Sequence, residues 1–492
     1  MILLITFAPI IAAVMIMLGL PARITAFVGS VLTLLLTMLE YFRFNSNAHG
    51  FQDIHTFPIS GDLGLNFSLG IDGLSIVMLL LAAIILLAAV WFTGEVKHHE
   101  NEFYACLLFI AGGAIGAFAS LDLFFFYAFH ELALIPTFLL IGIWGSGNRR
   151  AAAWKVTIYL ALGSFILLIG LIMLYRAVPA PARTLDLRAL QAAASAGQIA
   201  PAAQSPIYLL LLAGFGTLIS LVPFHTWAPE AYASAPAPAA MLHAGVLKKF
   251  GLYGLLRIAL PMLPDAARQW SNLLLVLLLA NIIYIGLVTI AQRRLDWMLG
   301  YSSVMHMGYI FLGIASANLL GATGAAILMF AHGLSIALLF GITGEVRKRV
   351  RSLDFDALGG LAKYMPICAF LFGLGAFAAI GLPGFANFAA EIMVLFGAFR
   401  NGFDYAHFHA FQWATVLALW GVVISAVYML RAYRRVFFGS ANEGELVATD
   451  LNSNVRLPAA MLVAVSIFFG FFPQTLVQTI SPAFRNYFAA EK

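Results

Sequence analysis

The chain has 492 residues, of which 62% are hydrophobic and 10% are charged, whereas soluble domains are about 45–50% apolar and about 25% charged. This composition excludes a water-soluble fold. The net charge of +5 does not indicate a nucleic-acid-binding surface, because the basic residues lie in short loops between apolar stretches. We therefore expect an integral membrane protein that lies in a lipid bilayer and binds no nucleic acid.

About 14 apolar stretches are long enough to cross a bilayer as helices, which takes about 20 residues. In chain order they lie near 2–20, 23–43, 71–93, 102–120, 122–145, 151–176, 206–223, 239–260, 271–291, 297–317, 320–344, 364–400, 408–436 and 457–474. None has the alternating pattern of a membrane barrel strand. The sequence predicts an all-α membrane protein with extramembrane loops at 44–70, ending in the turn GIDG, and at 178–205, and a short amphipathic tail after Pro473.

Two of these spans contain residues that interrupt a helix. The seventh ends in a proline-rich stretch that includes Pro223 and Pro229, and the twelfth carries Pro383 between glycines. Irregular backbone at membrane depth persists only where protein or a water-filled cavity satisfies it. The odd offset between the breaks predicts two inverted five-helix repeats, spans 4–8 (101–260) and spans 9–13 (261–440), flanked by 1–100 and 441–492.

Lysine and arginine are more frequent in alternate connections, which predicts both termini on the outer side of the membrane. In this interpretation Arg257 lies in an outward connection. Cys106 and Cys368 lie in apolar runs without metal-ligand or redox spacing, and we expect them to be buried core residues.

Ionisable groups within three of the apolar spans are the strongest functional signal. Such groups are costly in a bilayer, so they usually face the protein interior and mark ion paths. Glu131 lies near the middle of span 5 and Glu391 directly follows the break in span 12. Each is a candidate proton carrier, and the alternative is a carboxylate satisfied by a helix–helix hydrogen bond. His130 is rotated by about 100° from Glu131 around the helix and need not share its path.

Lys248 and Lys249 lie side by side in span 8. Adjacent residues do not share a helix face, so we expect only one of them to enter a given cavity. Lys249 is the stronger candidate, because a buried lysine readily loses and regains its proton. Lys248 is a weaker candidate that could instead snorkel to the membrane surface.

Histidines complete the set of candidate relays, since their ordinary pKa lies near neutrality. A lone membrane histidine serves equally often as a helix-bridging hydrogen-bond donor. The candidates are His225, His243, His306 and His332. The sequence shows no metal-ligand cluster, nucleotide-binding loop or nucleophile elbow, so we expect no bound metal or cofactor and no covalent chemistry in this chain.

Several motifs resemble the proton-pumping antiporter-like subunits of respiratory complex I, and most of all the M-type subunits of bacterial NADH–quinone oxidoreductase. They run through nearly the whole chain: GIDGLS (70–75), FFFYAFHELALIPTFLLIGIWG (124–145), VPFHTWAPEAYASAPAPAAMLHAGVLKKFGLYGLLR (222–257), YSSVMHMGYIFLG (301–313), HGLSIALLFGITGEVRKR (332–349) and GLPGFANFAAEIMVLFGAF (381–399). Ile336 and Glu391 stand where the related L-type subunits carry lysines, which favours the M type.

The resemblance implies a role for each matching residue. Glu131 would be the uptake-side carboxylate, Lys249 the central relay, and Glu391 the group nearest the exit. His332 would belong to the link between the half-channels. The partners would be other membrane-arm subunits, including further antiporter-like ones, in a bacterial inner membrane. FMN, iron–sulfur clusters and quinone would reside in other subunits, so the chain would act as part of a translocating enzyme without redox chemistry of its own.

The chain departs from the family pattern in span 7. The family pairs the span-5 glutamate with a lysine there, and this chain has Leu218 at that position. The extra Lys248 suggests a hypothesis in which it reaches back to Glu131 and replaces the missing cation. Three alternatives remain open: a D- or A-type subunit of a multi-subunit cation/proton antiporter, a membrane subunit of a hydrogenase-type complex, and a divergent paralogue with altered pumping. In every case except the last, Glu131, Lys249 and Glu391 should line one polar axis.

Overall fold

The computed structural model describes residues 1–48, 50–180, 183–402, 407–439 and 449–488. The predicted boundary between the segments 261–440 and 441–492 therefore lies outside the described residues, as do residues 489–492. The division into domains stays a prediction.

Helices make up most of the described chain. The first half contains α1 (Ile2–Met17), α2 (Ala22–Arg43), α3 (Gly73–Phe92), α4 (Glu100–Ala119), α5 (Leu123–Trp144), α6 (Arg149–Ala177), α7 (Leu187–Ser195), α8 (Pro201–Ile219), α9 (Trp227–Ser234), α10 (Ala237–Leu242), α11 (Lys249–Gly254) and α12 (Leu260–Met262). The second half contains α13 (Pro264–Gln269), α14 (Ser271–Leu279), α15 (Ile285–Ala291), α16 (Leu295–Ala315), α17 (Leu319–Val350), α18 (Pro366–Ile380), α19 (Ala386–Arg400), α20 (Ala410–Phe437), α21 (Ser453–Phe471) and α22 (Pro473–Phe488).

In the part of the chain that the structure describes, three π-helical segments and one 3-10 turn interrupt this regular pattern. The π segments are His243–Leu247, Leu255–Ala259 and Ala280–Tyr284, and the 3-10 turn is Leu361–Lys363. Eleven helical stretches of the described chain are long and apolar enough to cross a membrane. The predicted count of about 14 also includes α1 and the segmented stretches 237–262 and 366–400, and it remains a prediction.

The segment 44–70, predicted as a loop, instead forms an antiparallel hairpin of β1 (Gln52–Ser60) and β2 (Leu65–Ile71). The motif GIDG is not a turn. Its first residues end β2, and Asp72 is the N-cap of α3, where its side chain accepts a hydrogen bond from the backbone N–H of Ser75. An N-cap carboxylate satisfies one of the free N–H groups at a helix start. Among the described residues, the fold is therefore helical apart from this small sheet.

Both predicted helix breaks are confirmed. The seventh span divides into α8 and α9, and α8 ends at Ser220 in a left-handed conformation with φ of 73°. The twelfth divides into α18 and α19 around Gly381, whose φ is 79°. The predicted amphipathic tail is α22.

Burial separates the central helices from the peripheral ones. The most hydrophobic windows of α3 and α17 are entirely buried, whereas α2, α6 and α20 expose most of theirs. The outer face of α6 carries large apolar residues about one turn apart, including Ile158, Leu162 and Phe165. Such faces suit contact with lipid or a neighbouring subunit. The segmented stretch 237–262, which carries both lysines, packs against α3, α4, α8 and α17.

Candidate proton path

Lys249 begins α11 directly after the π segment His243–Leu247. Its side chain is fully buried, and its Nζ donates to the carbonyl of Ala244 at 2.6 Å. The same Nζ lies 3.0 Å from Nδ1 of His332 on α17. Neither partner is a carboxylate: the carbonyl of Ala244 accepts a hydrogen bond, and a neutral imidazole can accept or donate one. The arrangement can therefore hold a proton on either side of the Lys249–His332 contact without breaking an ion pair.

Both lysines are buried because neighbouring helices enclose the whole stretch 238–259. The backbone N–H of Lys248 bonds to the carbonyl of His243, five residues earlier. A π bulge inserts an extra residue into a turn, and such bulges occur frequently at functional sites. The two lysines contact different elements, since Lys249 contacts His332 of α17 and Lys248 contacts Ser303 of α16, in agreement with the expectation that adjacent lysines diverge. Lys248 and Lys249 are both almost completely inaccessible, so Lys248 does not snorkel.

His306 on α16 continues the path from His332, because the two rings lie 5.6 Å apart between centroids. Its Nε2 contacts the carbonyl of Ala379 at 2.8 Å, and its Nδ1 contacts the carbonyl of Ser302 at 2.7 Å. A carbonyl only accepts hydrogen bonds, so a neutral ring can satisfy one of these contacts and an imidazolium both. His306 therefore has binding partners for either protonation state.

Glu391 lies on α19 at the far end of this path. Its carboxylate packs against Gly381, since a Cβ built there would lie 2.2 Å from Oε2. Tyr309 and Tyr428 lie within electrostatic reach of it. The hydroxyl of Tyr428 is 2.9 Å from Oγ of Ser302, the residue whose carbonyl contacts His306. Within the described chain no cation forms an ion pair with Glu391.

Glu131 lies apart from this path, at the perimeter between α5 and α6. It is half-buried, and the hydroxyl of Ser164 donates a hydrogen bond to its Oε1. Ile135, one turn later, is 70% exposed. Leu218 is buried on α8, and the described residues supply no cation in an ion pair with Glu131. The structure thus brings together Lys249, His332, His306 and the surroundings of Glu391, but it does not join Glu131 to them by direct contact.

The hypothesis that Lys248 replaces the missing cation beside Glu131 is wrong in this structure. Its Nζ lies 3.4 Å from Oγ of Ser303 and 5.4 Å from the ring centre of Tyr232. These contacts direct the side chain toward α9 and α16, whereas Glu131 faces α6.

The other histidines take three different positions. His130 is buried and stacks on Phe250 of α11 at 3.9 Å with nearly parallel rings, so it points at the lysine-bearing helix while Glu131 points away. Nδ1 of His243 lies 3.2 Å from the hydroxyl of Tyr232. His225 is half-buried in the break after α8, within electrostatic reach of Lys248 and Lys155.

Several ring nitrogens of these histidines are buried without a hydrogen-bond partner among the described residues. They are both nitrogens of His130, Nδ1 of His225, Nε2 of His243 and Nε2 of His332. A buried polar group without a partner costs about 1–3 kcal/mol, so a fold normally avoids such atoms.

Sequence reasoning misassigned Arg257. It is not in an outward loop but buried in the π segment Leu255–Ala259, where it forms a bidentate ion pair with Asp72, with both contacts at 2.6 Å. The aspartate in GIDG could have indicated this ion pair, because a carboxylate at the start of an apolar span needs a cationic partner. Tyr232, Ser302 and Tyr428 were also missed, because a single tyrosine or serine in an apolar helix carries no distinctive pattern.

The part of the chain that contains the candidate proton path matches a known protein family. The family model described as NADH:quinone oxidoreductase/Mrp antiporter, TM, matches residues 120–418, which is more than half of the chain. The chain belongs to this family. As a member of the NADH:quinone oxidoreductase/Mrp antiporter family, it carries the lysine-bearing helix and both helix breaks within the matched region.

Relatives of similar length support the assignment. The chain is 32% identical over 463 residues to NADH-quinone oxidoreductase subunit M of Rickettsia typhi, covering 94% of this chain and 91% of the relative. It is 35% identical over 460 residues to F(420)H(2) dehydrogenase subunit M of Methanosarcina mazei, covering 92% and 90%.

Solved structures of the family share the fold. A chain of respiratory complex I from Thermus thermophilus with bound NADH superposes with a TM-score of 0.88 and 26% identity, covering 99% of this chain and all of that one. A chain of the Mrp complex from Dietzia sp. has a TM-score of 0.84 at 21% identity, covering 100% and 97%. The second likeness concerns the fold alone.

Proposed function

We propose that this chain is the M-type, proton-translocating membrane-arm subunit of a complex I-type NADH–quinone oxidoreductase in a bacterial inner membrane. Quinone reduction elsewhere in the complex drives it, and the chain itself binds no FMN, iron–sulfur cluster or quinone. Its neighbours are other antiporter-like subunits. The observation that carries the proposal is the fully buried Lys249 in contact with His332, at the start of a polar route toward Glu391.

Proton movement along this route follows from the chemistry of the side chains. A lysine ammonium bound only to a carbonyl and an imidazole can give up its proton, since no carboxylate fixes its charge. His332 receives the proton from Lys249, and His306 and the hydroxyls of Ser302 and Tyr428 lie between His332 and Glu391. The unpartnered nitrogens of His130, His243 and His332 support water binding along the path, because water satisfies buried polar groups where side chains do not.

Glu131 has a different place in the proposal. Its perimeter position between α5 and α6 suits a group that senses charge in the neighbouring membrane-arm subunit rather than one that hands protons directly to Lys249. Coulomb coupling at the edge of a protein reaches a neighbour across several ångströms because the membrane interior screens it weakly.

The experiment is a pair of substitutions in the assembled complex, Lys249→Met and Glu391→Gln. We expect assembly and quinone reduction to persist while the number of protons moved per electron falls. Vesicles that report NADH oxidation and acidification together measure this ratio. The exposed Lys363→Met serves as the matched control for loss of a lysine. An unchanged ratio in Lys249→Met would rule out the proposal.

Leu218 favours one alternative, a subunit whose pumping is altered. It is buried at the position where the family carries a lysine, and Glu131 has no cationic partner in the described chain. If pumping depends on that ion pair, the Lys249→Met variant and the unmodified chain will show the same low proton ratio.

A further inference from the structure

Lys248 is a buried ionisable group that the path above does not use. It is 1% exposed, and its contacts are one serine hydroxyl and the face of one tyrosine ring. No carboxylate of the described chain forms an ion pair with it. A buried ammonium that only a hydroxyl and a ring stabilise is costly. This cost argues against a purely structural role for Lys248.

A cavity of about 300 Å³ approaches this lysine from one end of the bundle. Its wall includes Trp144, Tyr232, Asp296, Thr343, Arg347 and Lys348. In its wall Arg347 bonds to Asp296 at 2.6 Å and to Oγ of Ser146 at 2.8 Å. Charged side chains therefore form part of the wall, and the size of the cavity allows it to hold several water molecules.

Tyr232 separates the cavity from the buried lysine. It lines the cavity, its ring faces Nζ of Lys248, and its hydroxyl is 3.2 Å from Nδ1 of His243. Two polar atoms around this wall lack partners in the described part of the chain, Oγ1 of Thr343 and Nε2 of His243. A hydroxyl and an imidazole at such a wall can pass protons between water and an amine.

We propose that Lys248 is a proton-loaded switch: it takes a proton from the Tyr232 cavity and, by its charge, drives the proton of Lys249 toward His332. The proposal rests on the proton-translocating function given above. In the loading step a proton from cavity water ends on the free amine of Lys248, and bulk solvent neutralises the hydroxide left behind. The new ammonium repels the ammonium of Lys249, whose proton moves to Nδ1 of His332. Lys248 later returns its own proton to the cavity.

The physical basis is the repulsion of like charges in a medium that screens them weakly. The two lysines are neighbours in the chain and both are buried, so two ammonium groups cannot be accommodated there as readily as one. The groups that share this environment are Tyr232 and His225 from the α9 side, Ser303 and His306 from α16, His332 from α17, and His243 from the same segmented helix.

Two substitutions at Lys248 separate a switch from a structural cation. Lys248→Met is never charged, and Lys248→Arg is always charged because a guanidinium keeps its proton in proteins. Arginine retains the contacts of a structural cation with Ser303 and the Tyr232 ring. If Lys248 must gain and lose a proton, neither variant can perform this step. We therefore expect the proton-to-electron ratio of the assembled complex to fall to that of Lys249→Met in each variant. A normal ratio in either variant overturns the proposal.

The cavity is tested with Tyr232→Phe, which removes only the hydroxyl. We expect slower proton uptake at unchanged quinone reduction, whereas Tyr208→Phe, which removes a buried hydroxyl on α8, should leave uptake unchanged. Normal uptake in Tyr232→Phe overturns the loading route. Should Lys248→Arg fail to assemble, Lys248→Met and Tyr232→Phe decide the question alone. If Lys249→Met itself pumps normally, it is the proposed function that fails rather than the switch.

Discussion

Buried ionisable residues in this chain fall into two groups that differ in their partners. Arg257 and Asp72 form a bidentate pair in which both charges are matched. Removing one member of such a pair is strongly destabilising, because it leaves the other charge uncompensated. Lys248, Lys249 and Glu391 have no opposite charge in an ion pair within the described chain. The first group fixes structure, and the second can change its protonation.

Gly381 is a residue-scale test of how tightly Glu391 is held. A Gly381→Ala substitution meets two obstacles, the positive φ of 79° and the carboxylate of Glu391. Positive φ alone costs roughly 1–2 kcal/mol for alanine, and displacing the carboxylate adds to this cost. We expect lower thermal stability of the purified complex together with a reduced proton ratio.

The matched control is Gly197→Ala, since Gly197 has a φ of 72° with nothing within 4 Å of the added Cβ. It should show the backbone cost without the loss of pumping. Equal proton ratios in the two variants would mean that the placement of Glu391 is not sensitive to its contact with Gly381.

Sequence reasoning placed Lys249, His332 and Glu391 within apolar helices, because a charged or polar residue in such a run is conspicuous without any knowledge of the fold. It misdirected Lys248, which contacts Ser303 and the Tyr232 ring rather than Glu131. That inference depended on direction rather than depth, and direction depends on how the helices pack. The expectation that His130 points away from Glu131 agrees with the structure.

Among the elements, the irregular ones position the candidate site. The break between α8 and α9 is held by Asn281, which lies in the π segment Ala280–Tyr284. Its Nδ2 donates to the carbonyls of Ser220 at 3.2 Å and Val304 at 3.0 Å, and its Oδ1 accepts from the N–H of Val222 at 2.8 Å. One buried amide thus satisfies backbone groups that the end of α8 leaves free. The prolines predicted the break, but nothing in the sequence indicated which residue would satisfy it.

Asn281→Leu is the element-scale prediction. It leaves the carbonyl of Ser220 and the N–H of Val222 without this partner, and each unsatisfied buried group costs about 1–3 kcal/mol. We expect a clear fall in the thermal stability of the complex and faster proteolysis of the chain around residues 220–226.

Gln292→Leu provides the comparison, because Gln292 is half-buried and its side chain bonds only to the carbonyl of Val288 in its own helix. A similar loss of stability in both variants would show that the break does not depend on Asn281.

At the scale of the whole molecule, contacts between distant connections define the two ends of the bundle. At one end the hydroxyl of Tyr487 lies 2.9 Å from the side chain of Gln191, and Tyr175 bonds to Leu63 in the hairpin turn. At the other end Trp144 bonds to His98. The order of the apolar spans predicted this alternation of connections, and lysine and arginine frequencies predicted which end faces outward. The hairpin escaped prediction, since its strands alternate only weakly between polar and apolar residues.

Accessibility in intact cells is the last prediction, and it tests the orientation in which both termini face outward. Cys106 and Cys368 are buried, so a membrane-impermeant maleimide has little background. Ala196→Cys lies at an exposed position of the α7 end, and Arg150→Cys lies at an exposed position of the opposite end. We expect the first to be labelled in intact cells and the second only in inverted vesicles, because the excess of basic connections belongs on the cytoplasmic side. The opposite labelling pattern would show that the molecule has the reverse orientation in the membrane. The Tyr232 cavity would then open outward, and Lys248 would be loaded from the side to which protons are delivered.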